Sequence, residues 1–292
     1  MILGALEAGG TKMVCAIGDE TGRIIDQTSI PTTIPEETMP PIIEYFKDKD
    51  IKALGVASFG PIDPDPSSET YGYITSTPKP GWNNYNILGE LKKAYDIPMG
   101  FDTDVNGSLL GEVTWGSSKG LSDAVYITIG TGVGGGVLSG GNLVHGMLHP
   151  ELGHMLMVPR RGDHFAGRCP FHKNCLEGMA SGPAIGERWG RPAKELADKK
   201  EVWELEADYI AQALMNIILT LSPKRIILGG GVMHQEILFP MIRNRVKEYL
   251  NGYIQAALLE DIDNYIVPAS LHDDQGIMGC IKLALNALEI SR

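Results

Sequence analysis

The stretch "GALEAGGTKMVCAIG", Gly4 to Gly18, decides the fold of this chain. Two short apolar runs flank a GGT turn, and a third run, "GRIIDQTSIP", follows the next turn, "ETG". Short apolar runs bounded by glycine-rich turns are typical of strands joined as hairpins. The first thirty residues therefore predict an antiparallel meander of three strands.

The second half of the chain repeats this plan. "DAVYITIG" and "GGGVLSG" flank "TGVGG" much as "GALEA" and "KMVCAIG" flank "GGT". A chain of 292 residues with 43% hydrophobic content exceeds the usual size of one domain. We therefore predict two α/β lobes, residues 1–116 and 117–292, with the last helix free to pack back on the first lobe.

Strands and helices alternate along the rest of each half. Helical patterns near 35–49, 105–116, 200–221, 235–249 and 276–288 separate the apolar runs "IKALGVASFG", "IPMGFD", "KRIILGGGV" and "NYIVPAS". This alternation is the pattern of an α/β fold.

Composition narrows the function. The chain has 25 Lys and Arg against 36 Asp and Glu, a formal net charge of -11, so we expect no nucleic-acid partner. No run approaches the roughly 18 apolar residues of a membrane span, and the first residues carry no basic leader. We expect a cytoplasmic protein with no membrane partner.

Three glycine clusters follow apolar strands. "EAGGTK" (Glu7–Lys12) and "TIGTGVGGG" (Thr128–Gly136) stand at corresponding turns of the two lobes, and "LGGGV" (Leu228–Val232) follows a third strand. Glycine turns let backbone N–H groups point at an anion. A single such loop is more often a mere turn, but a matched pair suits the phosphates of one nucleotide.

"FDTDVNGSLLGE", Phe101 to Glu112, places two aspartates where a strand ends and a helix begins. Asp102 or Asp104 could cap the helix, since aspartate is a favoured cap residue. A carboxylate at a strand end could instead accept the proton of an attacking hydroxyl. We expect one residue in each role.

"GRCPFHKNCLEG", Gly167 to Gly178, holds two of the four cysteines with a histidine between them. A disulfide, a metal site and a catalytic thiol all fit such a cluster. A lasting disulfide is disfavoured in a reducing cytosol, and no acyl-transfer constellation accompanies Cys169. A metal site remains, beside the alternative of two reduced thiols near a surface histidine.

In order and content, these motifs resemble the ROK family of repressors and sugar kinases. The resemblance runs from about Leu3 to Gly279, and "SFGPID" and "PGWNNYNI" are similar to its bacterial fructokinase branch. It implies an actin-like, two-lobed ATPase fold of the ribonuclease H-like type, with sugar and ATP meeting in the cleft.

The resemblance also implies roles for individual residues. Asp104 would be the catalytic base that takes the proton of the sugar's primary hydroxyl. Departures at Glu7 and Thr103, where most of the family has aspartate and asparagine, leave the hydroxyl contacts open. The implied sugar contacts are Thr103, Asp104, Glu151, His154 and Glu177. The implied nucleotide contacts are Gly9, Gly10, Thr11, Lys12, Thr131, Gly132, Gly134, Gly229, Gly230 and Gly231.

For the cysteine cluster, the resemblance implies a structural zinc site held by His154, Cys169, His172 and Cys175. The family's usual cluster has three cysteines, whereas this chain has Cys-x-x-His-x-x-Cys and so keeps four ligands at altered spacing. Four protein ligands close a tetrahedral shell, as in structural zinc sites. The insertion "RRGDHFAGR" adds His164 as a competing imidazole.

We therefore expect an ATP- and Mg²⁺-dependent kinase that phosphorylates D-fructose at its 6-hydroxyl, as a homodimer with a small-molecule hexose and ATP as partners. A mannose or glucose kinase and a non-catalytic sugar sensor are the alternatives. A repressor is a weaker one, because the first phosphate-loop strand begins at Ile2, where DNA-binding members carry an additional helix-turn-helix region.

Overall fold

In the computed structural model, which describes residues 1–291, the contacts divide the chain into two compact units. Unit 1 contains Met1–Gly120, Leu143–Pro150 and the chain from Ser270 onward, and unit 2 contains Leu121–Asn142 and Glu151–Ala269. The division at residue 116 that the sequence suggests stays a prediction of the lobe boundary.

Regular structure covers most of both units. The strands are β1 (Leu3–Ala8), β2 (Lys12–Gly18), β3 (Ile24–Pro31), β4 (Leu54–Ser58), β5 (Tyr73–Ile74), β6 (Tyr85–Asn86), β7 (Met99–Thr103), β8 (Ala124–Ile129), β9 (Val133–Ser139), β10 (Asn142–Leu143), β11 (Arg225–Gly229) and β12 (Ile266–Pro268). The α-helices are α1 (Pro35–Phe46), α2 (Ile87–Ala94), α3 (Asp104–Thr114), α4 (Leu176–Ala180), α5 (Gly182–Trp189), α6 (Lys200–Leu221), α7 (Leu238–Leu250), α8 (Ala257–Glu260), α9 (Ile262–Tyr265) and α10 (Gln275–Ile290). Short 3-10 turns lie at Leu152–His154, Ala193–Leu196 and Gly231–His234.

Unit 1 is built on a five-stranded sheet of order β3-β2-β1-β4-β7. Strands β1, β2 and β3 pair antiparallel, with Leu3 opposite Gly18 in the first pair. Strands β4 and β7 add in parallel beside β1. The predicted meander is therefore confirmed, and the parallel strands bring their carboxyl ends to one edge of the sheet.

Unit 2 repeats the arrangement with the order β10-β9-β8-β11-β12. The hairpin β8–β9 is antiparallel, and β11 and β12 follow in parallel. The duplicated hairpin read from the glycine turns is confirmed, because both sheets place an antiparallel hairpin next to two parallel strands.

Helix α10 packs in unit 1, against α3, β1 and β4. Glycines make this contact a close approach of backbones. A Cβ on Gly279 would lie 1.7 Å from the carbonyl oxygen of Gly107, and one on Gly55 would lie 1.8 Å from that of Cys280. Around this contact α10 buries Ile277, Ile281 and further apolar side chains, so the helix completes the core that supports α3.

Between Met1 and Ser291, no helix is both long enough and apolar enough to cross a membrane.

Candidate active site

The turn from β7 to α3 carries the two aspartates singled out in the sequence. Thr103, rather than either aspartate, caps α3, because its hydroxyl oxygen accepts a hydrogen bond from the Asn106 N–H at 3.1 Å. The expectation that Asp102 or Asp104 provides the cap is wrong. A threonine at this position leaves both carboxylates free for other contacts.

Asp104 is the first residue of α3 and is partly buried. Burial raises the pKa of its carboxyl group to about 6, although its Oδ1 accepts a hydrogen bond from the Val105 N–H at 2.9 Å, which acts in the opposite direction. A carboxylate with a pKa near neutrality can take a proton from a hydroxyl and later release it.

Asp102 is buried at the centre of a hydrogen-bond network. Its Oδ1 accepts from the Thr103 N–H at 2.8 Å and from the Asn106 amide nitrogen at 2.7 Å. The Nε2 of His145 lies 3.0 Å from its Oδ2. This contact, led by the hydrogen bond, raises the pKa of His145 above its usual value. No local sequence pattern points to His145, because 43 residues separate it from Asp102 along the chain.

A second missed histidine lies on the same segment, Leu143–Pro150. The Nε2 of His149 accepts a hydrogen bond from the Ile62 N–H at 3.2 Å, and burial lowers the pKa of its imidazole. The two histidines therefore tie this segment to β7 and to the loop after β4, within unit 1.

The first glycine turn, Gly9 to Lys12, joins β1 to β2. The Gly9 N–H donates to the Lys12 carbonyl at 3.1 Å, and the Thr32 hydroxyl donates to the Gly9 carbonyl at 2.7 Å. Glu7 precedes this turn on β1. Burial and then the neighbouring charge of Asp104 raise the pKa of Glu7 to about 7.

The second glycine turn lies between β8 and β9 in unit 2 and carries Thr131, Gly132 and, at the start of β9, Gly134. The Oε2 of Glu177, on α4, accepts a hydrogen bond from the Val133 N–H at 3.0 Å. A Cβ on Gly132 would lie 2.8 Å from the same oxygen. The structure thus brings Glu177, predicted as a sugar contact, to the second predicted phosphate loop.

A cavity of about 630 Å³ opens beside this turn in unit 2, a size typical of small-molecule sites. Predicted and unpredicted residues line it, among them Thr131, Gly182, Lys194, Trp203, Gly231 and Gln235. Gly229 and Gly230 end β11 and lead into the short turn that begins at Gly231. Sequence reasoning missed the side chains from 182 to 203, because they come from separate helices without a glycine motif.

The predicted metal ligands converge in unit 2. The ligand atoms of His154, Cys169, His172 and Cys175 all lie within 4.8 Å of one another. The Nδ1 of His154 is 3.8 Å from the Cys169 sulfur and 3.5 Å from the Cys175 sulfur. Both thiols are buried and none of the four cysteines forms a disulfide. His172 joins this group and His164 does not.

Glu151 is exposed and stands directly before the 3-10 turn that ends at His154. The imidazole of His154 contacts the two thiols and the ring of His172 through Nδ1.

The predicted residues thus form two groups. Gly9, Gly10, Thr11, Lys12, Thr103 and Asp104 lie in unit 1. Thr131, Gly132, Gly134, Glu151, Glu177, Gly229, Gly230, Gly231 and the four metal-ligand candidates lie in unit 2.

Two sheets of matching order, each with a glycine turn in its antiparallel hairpin, define the class of actin-like ATPase folds. A crystallised ROK hexokinase from Thermus thermophilus matches 100% of this chain and 99% of its own, with a TM-score of 0.78 and 25% identity.

The family model described as ROK matches residues 3–287, and the chain belongs to this family. A fructokinase from Pediococcus pentosaceus is 49% identical over 289 residues, which cover 99% of each chain. A fructokinase from Streptococcus mutans is 43% identical over 289 residues, 97% of each chain.

Proposed function

We propose that this protein is an ATP-dependent fructokinase that transfers the γ-phosphoryl group of ATP to the 6-hydroxyl of D-fructose. The observation that carries this function is the similarity to two fructokinases, 49% and 43% identical over nearly the whole chain. The similarity at this level of identity extends over both units of the chain.

Asp104 is the proposed general base. It takes the proton of the 6-hydroxyl while that oxygen forms a bond to the γ-phosphorus and the bond from the γ-phosphorus to the bridging oxygen of ADP breaks. The products are fructose 6-phosphate, ADP and a proton released from Asp104. The pKa of about 6 supports this role, because the carboxyl group is mostly ionised at neutral pH and still basic enough to accept a proton.

ATP is the proposed donor, and its contacts are divided between the units. In unit 1 the proposed contacts are Gly9, Gly10, Thr11 and Lys12. The turn supplies backbone N–H groups other than that of Gly9, which already donates to the Lys12 carbonyl, and Lys12 supplies an ammonium group for phosphate oxygens. In unit 2 the proposed contacts are Thr131, Gly132, Gly134, Gly229, Gly230 and Gly231. The cavity beside Thr131 and Gly231 supports a nucleotide in unit 2. When bound with ATP, Mg²⁺ neutralises phosphate charge.

The proposed sugar contacts are Thr103, Asp104, Glu151, His154 and Glu177. The hydroxyl oxygen of Thr103 already accepts a hydrogen bond from the Asn106 N–H. Its O–H proton remains available for a sugar oxygen. Glu177, held by the Val133 N–H, links sugar binding to the second glycine turn.

The cluster of His154, Cys169, His172 and Cys175 is a proposed structural zinc site. Two thiols and two imidazoles are a donor set that zinc prefers, and their convergence within 4.8 Å supports it. When bound, zinc cross-links the segment that carries Glu151 and His154 to the start of α4, which carries Glu177. Without it, two buried thiols and two imidazoles share one small volume.

We also propose that the protein is a cytoplasmic homodimer. Four cysteines without a disulfide suit a reducing compartment. Leu219 and Leu221, exposed at the end of α6, are available to a second copy. Light scattering of the purified protein tests the dimer, which a monomer mass across micromolar concentrations would contradict.

Steady-state phosphorylation of fructose, mannose and glucose with ATP and Mg²⁺ tests the activity, with ADP release followed and the sugar phosphate identified. We expect the highest kcat/KM for fructose. Comparable values for mannose or glucose would indicate a broader hexose kinase, a candidate favoured by the structural match to the hexokinase. Absence of turnover on all three sugars would reject the proposal.

Asp104→Asn tests the base. We expect kcat to fall about 10²- to 10⁴-fold, the usual contribution of general base catalysis, while fructose binding measured by calorimetry persists. A variant that keeps near-normal kcat would remove Asp104 from the mechanism.

A further inference from the structure

Lys79 lies on the first glycine turn, within unit 1. A Cβ built on Gly10 would be 3.0 Å from Cε of Lys79 and 3.9 Å from its Nζ. The end of the lysine side chain therefore passes directly over Gly10, whose lack of a side chain leaves room for it. No local sequence pattern points to Lys79, which is separated from Gly10 by almost 70 residues.

The backbone beside Lys79 is firmly held. The Trp82 N–H donates to the Lys79 carbonyl at 3.2 Å, and the fully buried Trp82 ring donates through Nε1 to the Thr33 carbonyl at 2.6 Å. Gly81 has a φ of 79° and sits against Pro35, where a Cβ would be 2.6 Å from the proline ring. A lysine on such a support loses less entropy when it binds a ligand.

The ammonium group of Lys79 has no carboxylate partner. In the described part of the chain, no Asp or Glu oxygen lies within 4.0 Å of it, whereas Lys49, Lys52 and Lys93 of the same unit each form an ion pair. Lys79 is also partly buried. An unpaired cation that is partly removed from water, in a chain with a net charge of -11, is available to an anion.

Carboxyl groups at the end of β1 oppose the binding of an anion at this turn. Glu7 stands just before the turn, and its pKa is raised in part by the charge of Asp104. Two carboxyl groups at this edge of the sheet oppose the approach of a phosphate group. An ammonium group over Gly10, in addition to that of Lys12, offsets part of this repulsion.

We infer that Lys79 binds an oxygen of the transferred phosphoryl group. This inference rests on the proposed kinase function and adds a binding residue to it. The amine acts as a point charge, in the manner in which lysine binds phosphates, and it stays protonated throughout. Arginine at this position would retain the charge but not the compact shape.

Kinetics of Lys79→Met and Lys79→Arg provide the first test, with Lys47→Met as the control, since Lys47 is exposed and paired only with Glu44. We expect Lys79→Met to lower kcat/KM for ATP about 10²- to 10³-fold, as loss of one charge-stabilising donor does, with the KM for fructose changed less than threefold. Lys79→Arg recovers at least tenfold of this loss, and Lys47→Met matches the parent protein. Circular dichroism and thermal melting establish that each variant is folded.

Amine acetylation provides a second test that needs no turnover. The protein is treated with acetic anhydride with and without the non-hydrolysable analogue AMPPNP and Mg²⁺, and acetylation at each lysine is measured by peptide mass spectrometry. We expect AMPPNP to lower acetylation of Lys79 at least fivefold and to leave Lys47 unchanged.

The two tests separate the inference from the proposed function. If the parent protein does not phosphorylate fructose, the proposed function fails, and protection by AMPPNP alone decides the role of Lys79. If the parent protein is active and Lys79→Met retains kcat/KM within threefold, the inference is wrong. Equal acetylation of Lys79 with and without AMPPNP would also overturn it.

Discussion

Replacement of Gly279 by alanine tests the backbone contact between α10 and α3. The added methyl group would lie 1.7 Å from the Gly107 carbonyl oxygen, where real contacts almost never fall below 3.0 Å. The obstacle is backbone, so no side chain can rotate away, and the two helices must separate by about 1 Å or more.

The expected cost follows from two opposing terms. Overpacking of this kind costs about 3 kcal/mol, and alanine's higher helix propensity returns about 1 kcal/mol. A net destabilisation of about 2 kcal/mol lowers the melting temperature by roughly 4–8 °C in a unit of this size. Because α3 begins with Asp104, the proposed general base, we also expect a shift of about 1 Å to lower kcat, by as much as about 100-fold.

Thermal melting and fructose kinetics of Gly279→Ala are compared with those of Gly186→Ala in α5. A Cβ on Gly186 meets only Arg191 O at 3.6 Å and Pro192 Cα at 3.9 Å, which are ordinary contacts. We expect Gly186→Ala to be neutral or to stabilise by about 0.5–1 kcal/mol. Equal melting temperatures for the two variants would refute the argument from close approach.

Three further predictions concern charge and metal. Because the pKa of Glu7 is raised from its ordinary value to about 7, the folded state loses stability as pH rises from about 4.5 to 7. In urea unfolding, Glu7→Gln should raise the free energy of unfolding by about 3 kcal/mol at pH 8 and leave it unchanged at pH 4. A gain that does not depend on pH would contradict this. Because the pKa of His145 is raised by Asp102, its ion pair is complete below about pH 6.5 and is lost as pH rises through the folded value. Asp102→Asn should lower the pKa of His145 in an NMR titration, and an unchanged value would mean that the pair does not form. We expect about one zinc per chain by elemental analysis of the parent protein. Cys175→Ser should hold less zinc and melt at a lower temperature. A parent protein that binds no zinc when supplied with it would reject the metal site.

Local sequence signals predicted the hairpins of both sheets and the position of Asp104. A glycine turn between short apolar runs determines a hairpin within about twenty residues, so the repeat in Gly4–Gly18 and Asp123–Gly140 was sufficient. The cap of α3 was not predicted correctly, because threonine and aspartate both favour that position. Only backbone geometry selects Thr103 between them.

Contacts between distant residues could not be predicted. The fold brings His145 to Asp102 and Lys79 to Gly10. These residues are far apart in sequence, so no local pattern predicts either contact. The convergence of the cysteines with His154 and His172 was predictable because their spacing is short, from His154 to Cys175. The same spacing could not choose between His164 and His172, whereas the structure groups His172 with the thiols.

The three-segment composition of unit 1 has a consequence for biosynthesis. Unit 2 ends at Ala269, whereas unit 1 needs α10, which begins at Gln275. On the ribosome, every residue of unit 2 is therefore made before the helix that completes the core of unit 1. Domains usually fold in the order of synthesis, but here unit 1, which contains the first strands, is the last to be completed. Until α10 has been made, the apolar surface of β1 and β4 that this helix covers stays exposed to chaperones.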